Sequence, residues 1–94
     1  MTVKGIYEKA RRKWGRKAQL MVTVEELAEL AQEISKLYRG VSKEEDLLSE
    51  IADVEIMIDQ VIYMQYDIVQ PKKRKRIEEI KHEKIERLRK ALEE

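Results

Sequence analysis

Five carboxylates stand out for their spacing: Glu25, Glu26 and Glu29 in one stretch, Glu50 and Asp53 in another. The pairs Glu26/Glu29 and Glu50/Asp53 are each three residues apart, which on a helix sets both side chains on one face, a turn apart. Two such pairs on helices packed side by side would turn four carboxylates toward one point. An all-oxygen donor set of that kind suits Mg²⁺ or Mn²⁺ far better than zinc. The common use of such an ion is to handle phosphates.

Other chemistries are excluded by residue type. The chain has no cysteine, so a disulfide, a thiolate zinc site and a Cys nucleophile are all ruled out. Its one histidine, His82, rules out a two-His metal site within a single chain. There is no Ser-His-Asp arrangement, glycine-rich phosphate loop or dinucleotide fingerprint. No apolar run approaches the roughly 20 residues of a membrane span, and the N-terminus lacks the apolar region of a signal peptide. The expectation is a cytoplasmic protein with no membrane partner.

The elements that must position the carboxylates are helical. Ninety-four residues make a single domain, 1–94, and helical periodicity dominates with no strand-type alternation. One proline, Pro71, and three glycines, Gly5, Gly15 and Gly40, punctuate the chain into four pieces. The pattern predicts a short first helix over 6–14, with Gly15 as the break. A second helix should run from Arg16 to Arg39, stopped by Gly40 in a left-handed conformation. Its apolar stripe is Leu20, Val24, Leu27, Leu30, Ala31, Ile34, Leu37 and Tyr38. Ser42 and Glu45 read as a capping box opening a third helix that ends near Val69, ahead of Pro71. That helix carries Leu47, Ile51, Val54, Ile58, Val61 and Ile62, with Met57 and Met64 along one border. A fourth helix should start at or just after Pro71 and carry Ile77, Ile80, Ile85, Leu88 and Leu92. The short connection between helices two and three makes them antiparallel neighbours.

The fold class is therefore all-α, an antiparallel helix hairpin with flanking helices. Charged residues are 41% of the chain, which leaves little for a monomeric core. An oligomeric four-helix-type bundle, a dimer or tetramer that shares apolar faces between copies, is expected. Charge is unevenly laid out: net +6 over residues 1–17, −9 over 18–70 and +4 over 71–94. Within the acidic middle, Glu26, Glu29 and Glu33 run along helix two beside its stripe, and Glu50 and Asp53 border that of helix three. Carboxylates at a core boundary repel each other and resist desolvation unless a cation neutralises them.

With its surroundings the pattern resembles a known family. Trp14-Gly15, Gln19, Glu25-Glu26-Leu27-Ala28-Glu29-Leu30 and then Glu50-Ile51-Ala52-Asp53-Val54 look like the MazG-type, all-α nucleoside triphosphate pyrophosphohydrolases. Their signature is E-E-x-x-E followed some twenty residues later by E-x-x-D, and Lys84-Ile85-Glu86-Arg87-Leu88 resembles the basic segment near their C-terminus. The resemblance spans about residues 14–90. It implies that Glu26, Glu29, Glu50 and Asp53 bind Mg²⁺, with Glu29 or Glu50 accepting a proton from the attacking water. It further implies that Lys84 and Arg87 contact the triphosphate, and that Trp14 and Gln19 face the nucleobase. Glu25 matches the first glutamate of the motif but points about 100° away from Glu26. The phosphoribosyl-ATP pyrophosphatases of the same superfamily carry a histidine where this chain has Met57, which argues against that activity.

Three features have simpler readings. The basic run Lys72–Arg76 is a solvated or phosphate-facing segment in preference to a nucleic-acid patch. Trp14 reads first as a core or interface anchor, and His82 as a surface residue. The alternative function is a non-enzymatic helical interaction module or nucleic-acid-binding accessory, which leaves the paired carboxylates unexplained.

Overall fold

The computed structural model describes residues 1–67, 70 and 72–93. They form four α-helices: α1 Val3–Trp14, α2 Arg16–Tyr38, α3 Glu44–Ile62 and α4 Lys72–Leu92. A π-helical segment, Tyr63–Asp67, extends α3. Val69 and Pro71, the expected end of the third helix and start of the fourth, lie outside the described residues.

Local chemistry explains most boundaries. The Thr2 hydroxyl accepts a hydrogen bond from the Gly5 amide at 3.0 Å and caps α1, which starts three residues earlier than its apolar pattern suggests. Gly15, at φ 87° and ψ 156°, occupies a region that side chains disfavour, and it turns the chain sharply between α1 and α2. α2 ends in a Schellman motif: the Val41 amide donates to the Lys36 carbonyl at 3.0 Å and the Gly40 amide to that of Leu37 at 3.1 Å. Gly40 supplies the positive φ of 75° that this motif requires.

The capping box does not form. α3 begins at Glu44 with Lys43 as its cap, and no side chain bonds to its first amides. The Leu47 amide closes on the Lys43 carbonyl at 3.1 Å, so the first turn sits one residue later than a Ser42 cap needs. Glu44, Glu45 and Asp46 complement the helix dipole instead.

α2 and α3 pack against each other as the predicted antiparallel hairpin, and α1 folds back on α2 and the π-helical segment. Tyr63 fixes α1 from the other side. Its ring meets Tyr7 at 6.2 Å and its hydroxyl donates to Glu8 at 3.1 Å. α4 packs mainly on the π-helical segment and buries none of its residues. Arg74 ties its first turn back to Asp59 of α3 at 3.0 Å.

The buried faces differ from the apolar stripes. On α2 the residues turned toward α3 are Gln19, Thr23, Glu26, Leu30 and Glu33, while Val24, Leu27, Ile34 and Leu37 are exposed. On α3 the buried residues are Val54, Met57 and Gln60, with Met64 following in the π-helical segment. Met57 and Met64, expected at a border, are central, and Ile51 and Ile58 are exposed. On α2 the hairpin buries a more polar face than the apolar stripe it leaves exposed. Its closure therefore places acidic side chains inside the helix interface.

Candidate metal centre and adjoining groove

Glu26 and Glu29 on α2 and Glu50 on α3 come together, with one carboxylate oxygen from each lying within 4.8 Å of the others. Antiparallel pairing puts them in register: Glu26 and Glu50 are half-buried between the helices, and Glu29 is on the open side. Glu26 Oε2 and Glu50 Oε1 are shut off from solvent with no hydrogen-bond partner among the described residues. Two ionised carboxylates can only accept, so neither satisfies the other. The Glu50 carboxyl is pushed up to about 7, first by the closeness of the Glu26 carboxyl, which favours a proton on one of the pair. Burial and the charges of Glu26, Glu29 and Asp53 add to the shift.

Neighbouring acids have other fates. Glu33, further along the same strip of α2, is paired with Lys36 at 3.1 Å. Glu25 is exposed on another side. Asp53 is exposed and stands outside the three-carboxylate group, although its charge acts on Glu50. Orphaned buried oxygens beside a third carboxylate fit a hard divalent cation, which would take up their lone pairs and relieve their repulsion. Glu26, Glu29 and Glu50 would hold such an ion, which would supply positive charge toward phosphate oxygens.

Of the residues assigned to substrate, two sit elsewhere. Lys84 and Arg87 are exposed on α4, and no hydrogen bond or ion pair joins them to the acidic cluster among the described residues. Trp14 and Gln19 line a groove of about 610 Å³ between α1, α2 and α3 that none of the three carboxylates lines. Trp14 is not a core anchor: it is 59% exposed, and Lys13 Nζ sits 5.4 Å from its ring centroid. At the inner wall of the groove, Gln60 Nε2 donates to Gln19 Oε1 at 3.0 Å, and both residues are more than nine-tenths buried. Thr23, one turn along, satisfies its hydroxyl on the Gln19 carbonyl at 2.8 Å.

The two halves of the site share one helix face. Gln19, Thr23 and Glu26 follow each other along α2, so groove and carboxylates are about 10 Å apart at 1.5 Å per residue. Spacing arguments pass over Gln60. Its signal is a polar residue three positions after Met57, on the same face of α3. No protein-family model, curated protein or solved structure matches the chain.

Proposed function

We propose that this chain is a Mg²⁺-dependent nucleoside triphosphate pyrophosphohydrolase, splitting the α–β phosphoanhydride to give a nucleoside monophosphate and pyrophosphate. The observation that carries the reading is the convergence of Glu26, Glu29 and Glu50 with two orphaned, solvent-shielded oxygens, about 10 Å along the helix face from an apolar groove. A bound Mg²⁺, or Mn²⁺ in its place, supplies neutralisation of phosphate charge and a lowered pKa for water. Glu26, Glu29 and Glu50 would hold it, with Asp53 adding negative charge at the rim. Glu29, the most open of the three, would take the proton of a water that attacks the α-phosphorus as the bond to pyrophosphate breaks. The groove beside Trp14 and Gln19 would seat the base.

Association belongs to the same proposal. Leu27, Ile34 and Leu37 on α2 and Ile85 and Leu88 on α4 are exposed, and among the described residues no large side chain is fully buried. A second copy would cover these faces, and Lys84 and Arg87 would reach a triphosphate only in such an assembly.

The test is pyrophosphate release from a panel of nucleoside triphosphates. Glu29→Gln and Glu50→Gln should each lower Mg²⁺-dependent turnover by at least about a hundredfold and leave the helical circular dichroism unchanged. Full activity in both variants would sink the metal-site model. The same exposed faces favour a second reading, a helical interaction module without catalysis. Stabilisation by Mg²⁺ or Mn²⁺ in a thermal shift assay argues for the enzyme; a salt-dependent shift with DNA or RNA and none with metal argues for the module.

A further inference from the structure

α1 carries a surface that the carboxylates do not explain. Residues 3, 6, 10 and 14 follow one another along one face of this 12-residue helix. Ala10 is buried there, but Val3, Ile6 and Trp14 are each more than half exposed, as is Met1 just ahead of the helix. Lys9 and Lys13 stand one place before Ala10 and Trp14, so they run along one edge of the same face. With Ile6, Ala10 and Trp14 they line a shallow pocket of about 180 Å³. Both lysines are exposed, and neither has an ion pair among the described residues.

The charge around this face is of one sign. Residues 1–17 hold seven Lys or Arg against Glu8 alone. Glu8 is already engaged, accepting hydrogen bonds from Arg11, Arg12 and Tyr63. The basic run Lys72–Arg76 lies at the same end of the hairpin, because α1 leads into the start of α2 and α4 follows the π-helical segment at the end of α3. Glu26 and Glu50 are at least ten residues, about 15 Å, along their helices from that end. The apolar face of α1 is therefore set in a positive field that the acidic cluster does not cancel locally.

That combination selects among the surfaces that could cover it. A second copy of the same face would set Lys9 and Lys13 against their counterparts, which like charge opposes. A nucleic-acid strand would pair with the lysines but leave Val3 and Ile6 unused, since bases stack on aromatic rings. An anionic bilayer answers both features: its phosphate headgroups take the cations and its acyl boundary takes the apolar side chains. Tryptophan favours that boundary as well. We propose that α1 docks on an anionic phospholipid surface, with Lys9 and Lys13 at the headgroups and Val3, Ile6 and Trp14 inserted beneath them. The expectation of no membrane partner came from the lack of a spanning segment, which a helix lying in the interface does not need. The docking does not depend on the pyrophosphohydrolase reading.

The full chain is mixed, without nucleotide or divalent metal, with vesicles of phosphatidylcholine alone or with about one-third phosphatidylglycerol. Flotation reads binding, and the protein's single tryptophan reports insertion. The chain should float with the anionic vesicles and stay behind with the neutral ones, and Trp14 emission should move to the blue on binding. Lys9→Gln with Lys13→Gln should weaken binding by about fivefold per lysine removed. Ile6→Gln should weaken it by about tenfold. All three positions are exposed, and circular dichroism checks that the variants stay helical. The comparison of the two vesicles needs no variant at all. Absence of flotation with anionic vesicles overturns the proposal, as does equal flotation with neutral ones. Binding that leaves Trp14 emission unmoved and Ile6→Gln undiminished is adsorption by charge alone, and overturns it too. Salt-sensitive binding to RNA with no flotation assigns the face to nucleic acid. A blue shift that follows protein concentration in the absence of vesicles assigns it to a second copy; either result overturns the proposal.

Discussion

Glu50 shows how one side chain couples stability to the site. Its folded pKa of about 7 lies above the ordinary 4.5, raised first by its contact with Glu26. A carboxyl raised in this way adds stability that is complete below about pH 4.5 and is lost as the pH climbs through 7. Metal-free protein should therefore melt at steadily lower temperature from pH 5 to 8, and Glu50→Gln should flatten that decline. Glu8 does not confuse the measurement. Its hydrogen bonds from Arg11 lower its pKa to about 2, so its contribution is lost only under more acid conditions. A melting midpoint that is level or rises across pH 5–8 in the wild type would contradict the carboxylate contact. The convergence of Glu26, Glu29 and Glu50 was legible because i, i+3 spacing and an antiparallel hairpin suffice to bring them together. Asp53 was not separable from them by spacing, since its place outside the group depends on the rotation of α3 about its own axis. Gln60 was illegible for a related reason: a glutamine's burial is set by which face its helix presents.

At the scale of elements, glycines and helix ends were easier to read than faces. Gly15 and Gly40 mark the turns because each supplies a positive φ that other residues adopt at a cost. Gly15→Ala should lower stability by about 1–3 kcal/mol through backbone strain alone, since a Cβ there meets no atom within 4 Å. Chemical denaturation measures it, and an unchanged midpoint would mean that α1 and α2 had joined into another geometry. The expected Ser42 cap failed because the short connection after Gly40 carries the chain one residue further before its first helical turn closes. The stripes misled for a larger reason. Periodicity finds apolar faces but does not say which partner each one meets, and in α2 the conspicuous face, Val24, Leu27 and Ile34, is turned away from α3.

The whole molecule is open for its size. Its radius of gyration is 16.3 Å, where a compact chain of this length has about 12 Å. Its extents of 45 × 34 × 23 Å follow from α4 standing off the hairpin and from apolar faces left uncovered. Sedimentation should show a dimer or larger species, and unfolding of a dimer should lose about 1.4 kcal/mol for each tenfold dilution. Leu27→Glu with Ile34→Glu, two turns apart on one face, should shift the chain toward monomer and remove that dependence. A wild-type chain that sediments as a monomer across the same concentrations would refute association through α2. Among the described residues no helix is long and apolar enough to cross a membrane, so these faces do not form a span.

The attachment of α4 also has a consequence in simple mechanics. A helix of 21 residues is about 30 Å long, and this one is held near its first turns, by the π-helical segment and the Arg74–Asp59 pair. It is a lever with its fulcrum at one end. A rotation of 10° at the root carries Leu92 through about 5 Å, the height of a full helical turn. Adjustments too small to disturb the hairpin are thus magnified where Lys84, Arg87 and the exposed Leu88 lie, and the reach of those side chains is set by the angle of the helix at its start, three to four turns away.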